Sequence, residues 1–147
     1  MKRELVKALM QSKIIDISRV CNLICIQFLT IEEKIISLHI QSLFRVIKNA
    51  RILLSSEDIY RCGKKCKPEL FEWDTPGDSI FDECLIDIKE QFHQGKLVKT
   101  KFTKIGDVYL LFDTGIILQI VVDTTCFEEK YRIFDEKRLF IWETAQR

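Results

Sequence analysis

The sequence predicts an α+β domain of two helix-plus-antiparallel-β-meander units related by a pseudo-twofold, and three observations carry that reading. Of 147 residues, 47% are hydrophobic, enough for a core in one domain of ordinary size. The apolar period changes from helical to strand-like twice along the chain, in that order each time. Blocks of the first part can also be set on blocks of the second without changing their order, the mark of an internal duplication. Lys13-Ile14-Ile15 falls on Lys96-Leu97-Val98, and Ile24 to Phe28 falls on Val108 to Phe112. Residues 35–40 fall on 116–121, Phe44-Arg45-Val46-Ile47 on Tyr131-Arg132-Ile133-Phe134, and residues 51–54 on 138–141. One domain, 1–147, is therefore expected, with unit one at 1–56, a connector at 57–78 and unit two at 79–147.

The first unit opens on a short helix whose stripe is Leu5, Val6, Leu9 and Met10. Residues 22–30 and 34–41 then pair around Ile31-Glu32-Glu33. In the second unit Ser79 is a good N-cap, with Asp82 three residues on. Ile80, Phe81, Cys84, Leu85, Ile88 and Phe92 give the helix one apolar stripe, and Gly95 stops it. Val108 to Phe112 is a continuous apolar run that turns at Asp113-Thr114-Gly115 and returns through 116–122, a hairpin with glycine where positive φ is needed. Strands this apolar are expected to be covered on both faces. The helix of the same unit supplies one cover, and the other unit or a second subunit the other.

The connector has no convincing period, and loops of that length are often functional. It changes charge abruptly. Arg61, Lys64, Lys65 and Lys67 come first; Glu69, Glu72, Asp74, Asp78, Asp82, Glu83, Asp87 and Glu90 follow, with Phe71, Trp73 and Pro76 among them. Two readings compete. Phe71 and Trp73 peg a linker to the core with Trp73 mostly buried, while the acids face water; or Phe71, Glu72, Trp73, Asp74 and Asp78 form an aromatic-cored, polar-rimmed contact patch.

The string from Phe71-Glu72-Trp73-Asp74-Thr75-Pro76-Gly77-Asp78 through Gly106-Asp107, Asp113-Thr114-Gly115 and Asp123-Thr124 to Tyr131-Arg132-Ile133-Phe134 resembles small bacterial proteins of uncharacterised function. Some of those look like immunity proteins of toxin systems. The resemblance covers roughly residues 57–143 and departs at Tyr131, where those proteins usually show tryptophan. It implies a fold type and no reaction, cofactor or catalytic residue.

Catalytic motifs are missing from the chain. None of the five glycines builds a phosphate-cradling loop, and no G-x-S-x-G elbow occurs. His39 and His93 lack partners at metal-site spacing, and Cys62-Gly63-Lys64-Lys65-Cys66 offers one thiol pair where a structural zinc site uses two. No metal and no cofactor are expected. Arg45 and Arg132 fall at equivalent positions, each beside an aromatic residue; each could hold an anion or a partner carboxylate bidentately, or pair internally, Arg132 with Glu128 or Glu129. With 23 basic and 22 acidic residues the formal charge is +1, which argues against a duplex nucleic acid partner. No apolar run reaches the roughly 18 residues of a membrane span, and no signal peptide is evident, so a cytoplasmic protein with reduced thiols is expected. The expected function is non-enzymatic binding of a basic protein partner through the acidic-aromatic segment, in the manner of an immunity protein. The alternative is a small ligand-binding protein or enzyme with a pocket between the repeats, and a homodimer is a further option.

Overall fold

The computed structural model of the chain describes residues 2–126, 128–137 and 141–143. Helix α1 (Lys2–Leu9) precedes β1 (Lys13–Val20), β2 (Leu23–Leu29), β3 (Ile35–Ile40), β4 (Leu43–Lys48) and β5 (Arg51–Ser55). Helix α2 (Ile80–Gln94) precedes β6 (Leu97–Phe102), β7 (Val108–Phe112), β8 (Ile117–Val121), β9 (Tyr131–Asp135) and β10 (Ile141–Glu143). The protein is α+β, with two antiparallel sheets ordered β1-β2-β3-β9-β10 and β5-β4-β8-β7-β6. Each sheet takes three strands from one half of the chain and a hairpin from the other. No described helix is long and apolar enough to cross a membrane.

Helix α2 forms where the pattern places it. Ser79 Oγ accepts from the Asp82 N–H while the Asp82 carboxylate accepts from the Ser79 N–H, a reciprocal capping box, and Gly95 ends the helix in an extended conformation. Phe81, Leu85, Ile88 and Phe92 are its buried positions. The helix lies along β1, β5 and a 3-10 turn, Ser56–Tyr60, while Phe92 meets Phe112 edge-on with centroids 6.2 Å apart. The expectation that each helix covers its own unit is thus corrected: α2 rests largely on first-half elements, β1 of one sheet and β5 of the other, where the β4–β5 hairpin joins β8, β7 and β6.

The expectation of strands covered on both faces is also corrected. Ile24, Ile26 and Phe28 of β2 and Val108, Leu110 and Phe112 of β7 are buried, whereas Cys25, Tyr109 and Leu111 between them are half-buried and Gln27 is exposed. One face of each sheet enters a core cluster shared by both sheets and both helices. Half-exposed apolar residues such as Ile35 and Ile117 need no second cover, since over half of an ordinary protein surface is apolar.

Registers are well defined. Ile14 lies opposite Phe28, and a bulge follows before Asp16; Leu97 lies opposite Phe112, and a bulge follows before Lys99. The setting of 35–40 on 116–121 is one residue out, for Ile36 lies opposite Phe28 while Phe112 bonds to Ile116. The cause is loop length: the Thr30–Lys34 connection is longer than Asp113-Thr114-Gly115, and aligning the two Ile-Ile pairs hides the difference. Residues 138–140, set on 51–53, lie outside the described residues. The leading ends of the two edge strands are stitched together, Gln11 N–H to the Leu97 carbonyl at 2.8 Å and Leu97 N–H to the Ser12 carbonyl at 2.9 Å.

Candidate functional site

The connector is held to the body by one side chain the sequence reading did not single out. Alternation along β1 puts Arg19 on the inward face after Ile17, a position where an apolar residue is the norm. Its side chain is 1% exposed, and all five of its N–H donors are used. Nε and Nη2 form a bidentate pair with Asp82, both at 2.8 Å; Nη1 donates to the carbonyls of Cys21 and Trp73, both at 2.8 Å; Nη2 also reaches the Thr75 carbonyl at 3.1 Å. Asp82 accepts further from the Gly77 and Ser79 N–H groups and the Ser79 hydroxyl. Burial alone would raise its carboxyl, but Arg19 and these donors outweigh burial and hold it at about 2.

Arg19 takes hold of the connector by its backbone, so the Trp73 ring is left free of the anchoring. Trp73 is 39% exposed, which corrects the expectation of a mostly buried peg. Its ring leans on Tyr60 with centroids 5.0 Å apart at 55°. Tyr60 is itself placed outward by local chemistry. A capping box between Ser55 and Asp58 starts the 3-10 turn, Ile59 anchors it at 1% exposure, and the next residue must face out. The Tyr60 hydroxyl accepts from Asn22 Nδ2 at 3.2 Å.

Tyr60 and Asn22 border a cleft of about 270 Å³ that also takes in Ser42, Glu57, Ile59 and Asp123. Glu57 and Asp123 are its charged lining residues. Ser42 donates its hydroxyl to the Val121 carbonyl, and Lys130 Nζ sits 3.2 Å from Asp123 and 3.1 Å from Glu128. Trp73, Tyr60 and the cleft therefore adjoin. Glu72 and Asp74 beside Trp73 are exposed, while Phe71 and Asp78 are half-buried.

Arg45 and Arg132 do not join this surface, and neither lines the cleft. Both are half-buried on outer sheet faces. Arg45 lies opposite Gln119 and donates Nε to its amide oxygen, while Gln119 donates to the Tyr109 hydroxyl at 3.0 Å. Arg132 lies opposite His39 and pairs with Glu129 at 2.8 Å, the internal partner named from sequence. His39 packs edge-on to Phe134 and His93 is exposed, so the histidines do not converge. Among the described residues no group of three or more His, Cys, Asp or Glu side chains is poised to hold a metal ion.

The basic half of the connector is also braced. Glu83 accepts from the N–H groups of Lys65 at 3.0 Å and Lys64 at 3.1 Å, which hold its carboxyl below the ordinary range. Gly63 N–H bonds to the Asp78 carbonyl and Ile80 N–H to the Arg61 carbonyl. A long-range partner for Arg19 carries no local sequence signal; the one available hint was a lone arginine at an inward position of a strand. No protein-family model, curated protein or solved structure matches the chain.

Proposed function

We propose that the protein is a non-enzymatic binding protein of the immunity type, working in the cytoplasm, that receives a basic protein partner on the acidic-aromatic surface around Trp73. The observation that carries this reading is the exposed Trp73–Tyr60 pair, rimmed by Glu72 and Asp74 and continuous with a cleft whose charged lining is acidic. Aromatic rings supply contact area at little entropic cost, and the carboxylates supply steering and register. A lysine or arginine side chain of the partner would lay its stem against Tyr60 and its head toward Glu57, Asp123 being already paired with Lys130. Phe71 and Asp78 are half-buried and lie beside this surface in the chain.

A host lysate passed over immobilised protein tests this. Wild type retains a salt-sensitive partner, whereas Trp73→Ala and the Glu72→Lys/Asp74→Lys double variant lose it. Equal recovery by all three rejects the reading. The cleft also favours a second one, a small cationic ligand held between the halves, because Asp123 comes from the second half and the other named lining residues from the first. A partner replaced by saturable binding of a small amine, abolished by Glu57→Gln, would favour that alternative.

We also infer that the chain arose by internal duplication with exchange of the terminal hairpins. In support, the two bulges follow Ile14 opposite Phe28 and Leu97 opposite Phe112, and Arg45 faces Gln119 from β4 as Arg132 faces His39 from β9. Each sheet has the same make-up, three strands of one half and the hairpin of the other.

A further inference from the structure

Cys62 and Cys66 are the two thiols the structure brings together. Cys62 Sγ donates to the Cys66 carbonyl at 3.4 Å, which turns its thiol toward Cys66, and Cys66 Sγ donates to the Lys67 carbonyl at 3.4 Å. The segment between them is braced by the Gly63–Asp78 bond and by the two amides held by Glu83. Gly63 is needed for this fit: a Cβ there would stand 2.8 Å from the Asp78 carbonyl oxygen and collide with the Glu83 carboxylate. Preorganisation of this kind raises the effective concentration of one thiol at the other. Arg61, Lys64, Lys65 and Lys67 flank the two cysteines along the chain, all exposed.

We propose that Cys62 and Cys66 form a reversible dithiol–disulfide couple that exchanges with an anionic small-molecule disulfide, attracted to the segment by its four exposed cations. The inference does not depend on the binding reading above. The Cys62 thiolate attacks one sulfur of the small disulfide, forming a mixed disulfide and releasing one small thiolate. Cys66, deprotonated as it reacts, then attacks the Cys62 sulfur and displaces the second small thiolate. A sulfur–sulfur bond forms between Cys62 and Cys66 and one breaks in the oxidant. The protein gives up two electrons and two protons, and the oxidant leaves as two thiols. Burial, the neighbouring Cys62 thiol and the charges of Asp78 and Glu69 push the Cys66 thiol up to about 11, so it is protonated at neutral pH and acts as the resolving partner.

The test equilibrates the full chain with reduced and oxidised glutathione, traps free thiols by alkylation and maps the products by mass spectrometry. A bridge between Cys62 and Cys66 is expected, with Cys21, Cys25, Cys84 and Cys126 still alkylated. Its equilibrium constant should be at least tenfold larger in the native protein than in denaturant, because the fold holds the thiols together. Cys66→Ser should stop at a mixed disulfide on Cys62, and Lys64→Ala/Lys65→Ala should slow the exchange several-fold at low salt. Absence of the bridge, an equal constant in denaturant, or preferential bridging to another cysteine overturns the proposal.

Discussion

At the scale of single residues, Arg19 and Asp82 decide where the connector lies. Removing the guanidinium strands a part-buried carboxylate and releases three backbone carbonyls, so Arg19→Met should cost about 3 kcal/mol in chemical denaturation. Asp82 gives the fold a pH dependence of definite sign. Its carboxyl sits at about 2 when folded against an ordinary value of 3.8, so the folded chain binds fewer protons and the stabilisation is complete above pH 4. It is lost as pH falls from about 4 to 2. After allowance for solvent screening the loss is about 1–2 kcal/mol, and Asp82→Asn should flatten that part of the acid limb. Half of this pair was legible: Asp82 could be read as a cap because Ser79 is three residues away, but Arg19 could not be matched to it across the sequence. Trp73 was misread for a related reason. A tryptophan in a linker suggests an anchor, yet here the anchor is the carbonyl of the same residue.

Elements were easier to read than their partners. Local signals suffice for α2, whose cap, stripe and terminal glycine agree, and for the Asp113-Thr114-Gly115 hairpin, where Gly115 has φ +86°. Phe92, 1% exposed against Phe112, should lose about 3–5 kcal/mol on truncation to Ala, measured by urea unfolding; a loss under about 1 kcal/mol would make the helix peripheral. The β4–β5 turn is less well matched to its sequence. Asn49 and Ala50 both adopt positive φ, +51° and +58°, as a two-residue hairpin turn demands, and alanine is poorly suited to that region. Ala50→Gly should therefore raise stability by about 0.5–1 kcal/mol in the same assay, the relief of strain exceeding the extra entropy glycine brings to the unfolded chain. The short 3-10 helix Ser56–Tyr60 is hidden in the sequence because five residues are too few to display a period.

Strand order is a property of the whole molecule and was not legible at all. The pattern marks which residues form strands and which face is apolar, but β3 meets β9 about ninety residues downstream, and nothing local distinguishes that partner from β4. Sheets that each combine strands of both halves predict interdependence of the halves. Cut between Lys67 and Pro68, both exposed, neither 1–67 nor 68–147 should unfold cooperatively as a monomer, because each then lacks a hairpin of its sheet. Mixed in equal amounts, the two should recover the circular dichroism of the intact chain. Independent folding of 1–67 would contradict that interdependence.

The strand order also sets a timetable for synthesis. When the ribosome releases β8, its neighbour β4 has long been waiting, and the second sheet can close at once. The edge of β3 has no such luck. From Ile40 it stays open until Tyr131 emerges, a wait of about 5–20 s at about 5–20 residues per second. For that interval the nascent chain carries an unpaired edge of Ile, Leu and Ile beside the apolar face of β2. Slowing translation between the codons for residues 41 and 131 should lengthen that exposure and increase aggregation of the newborn chain.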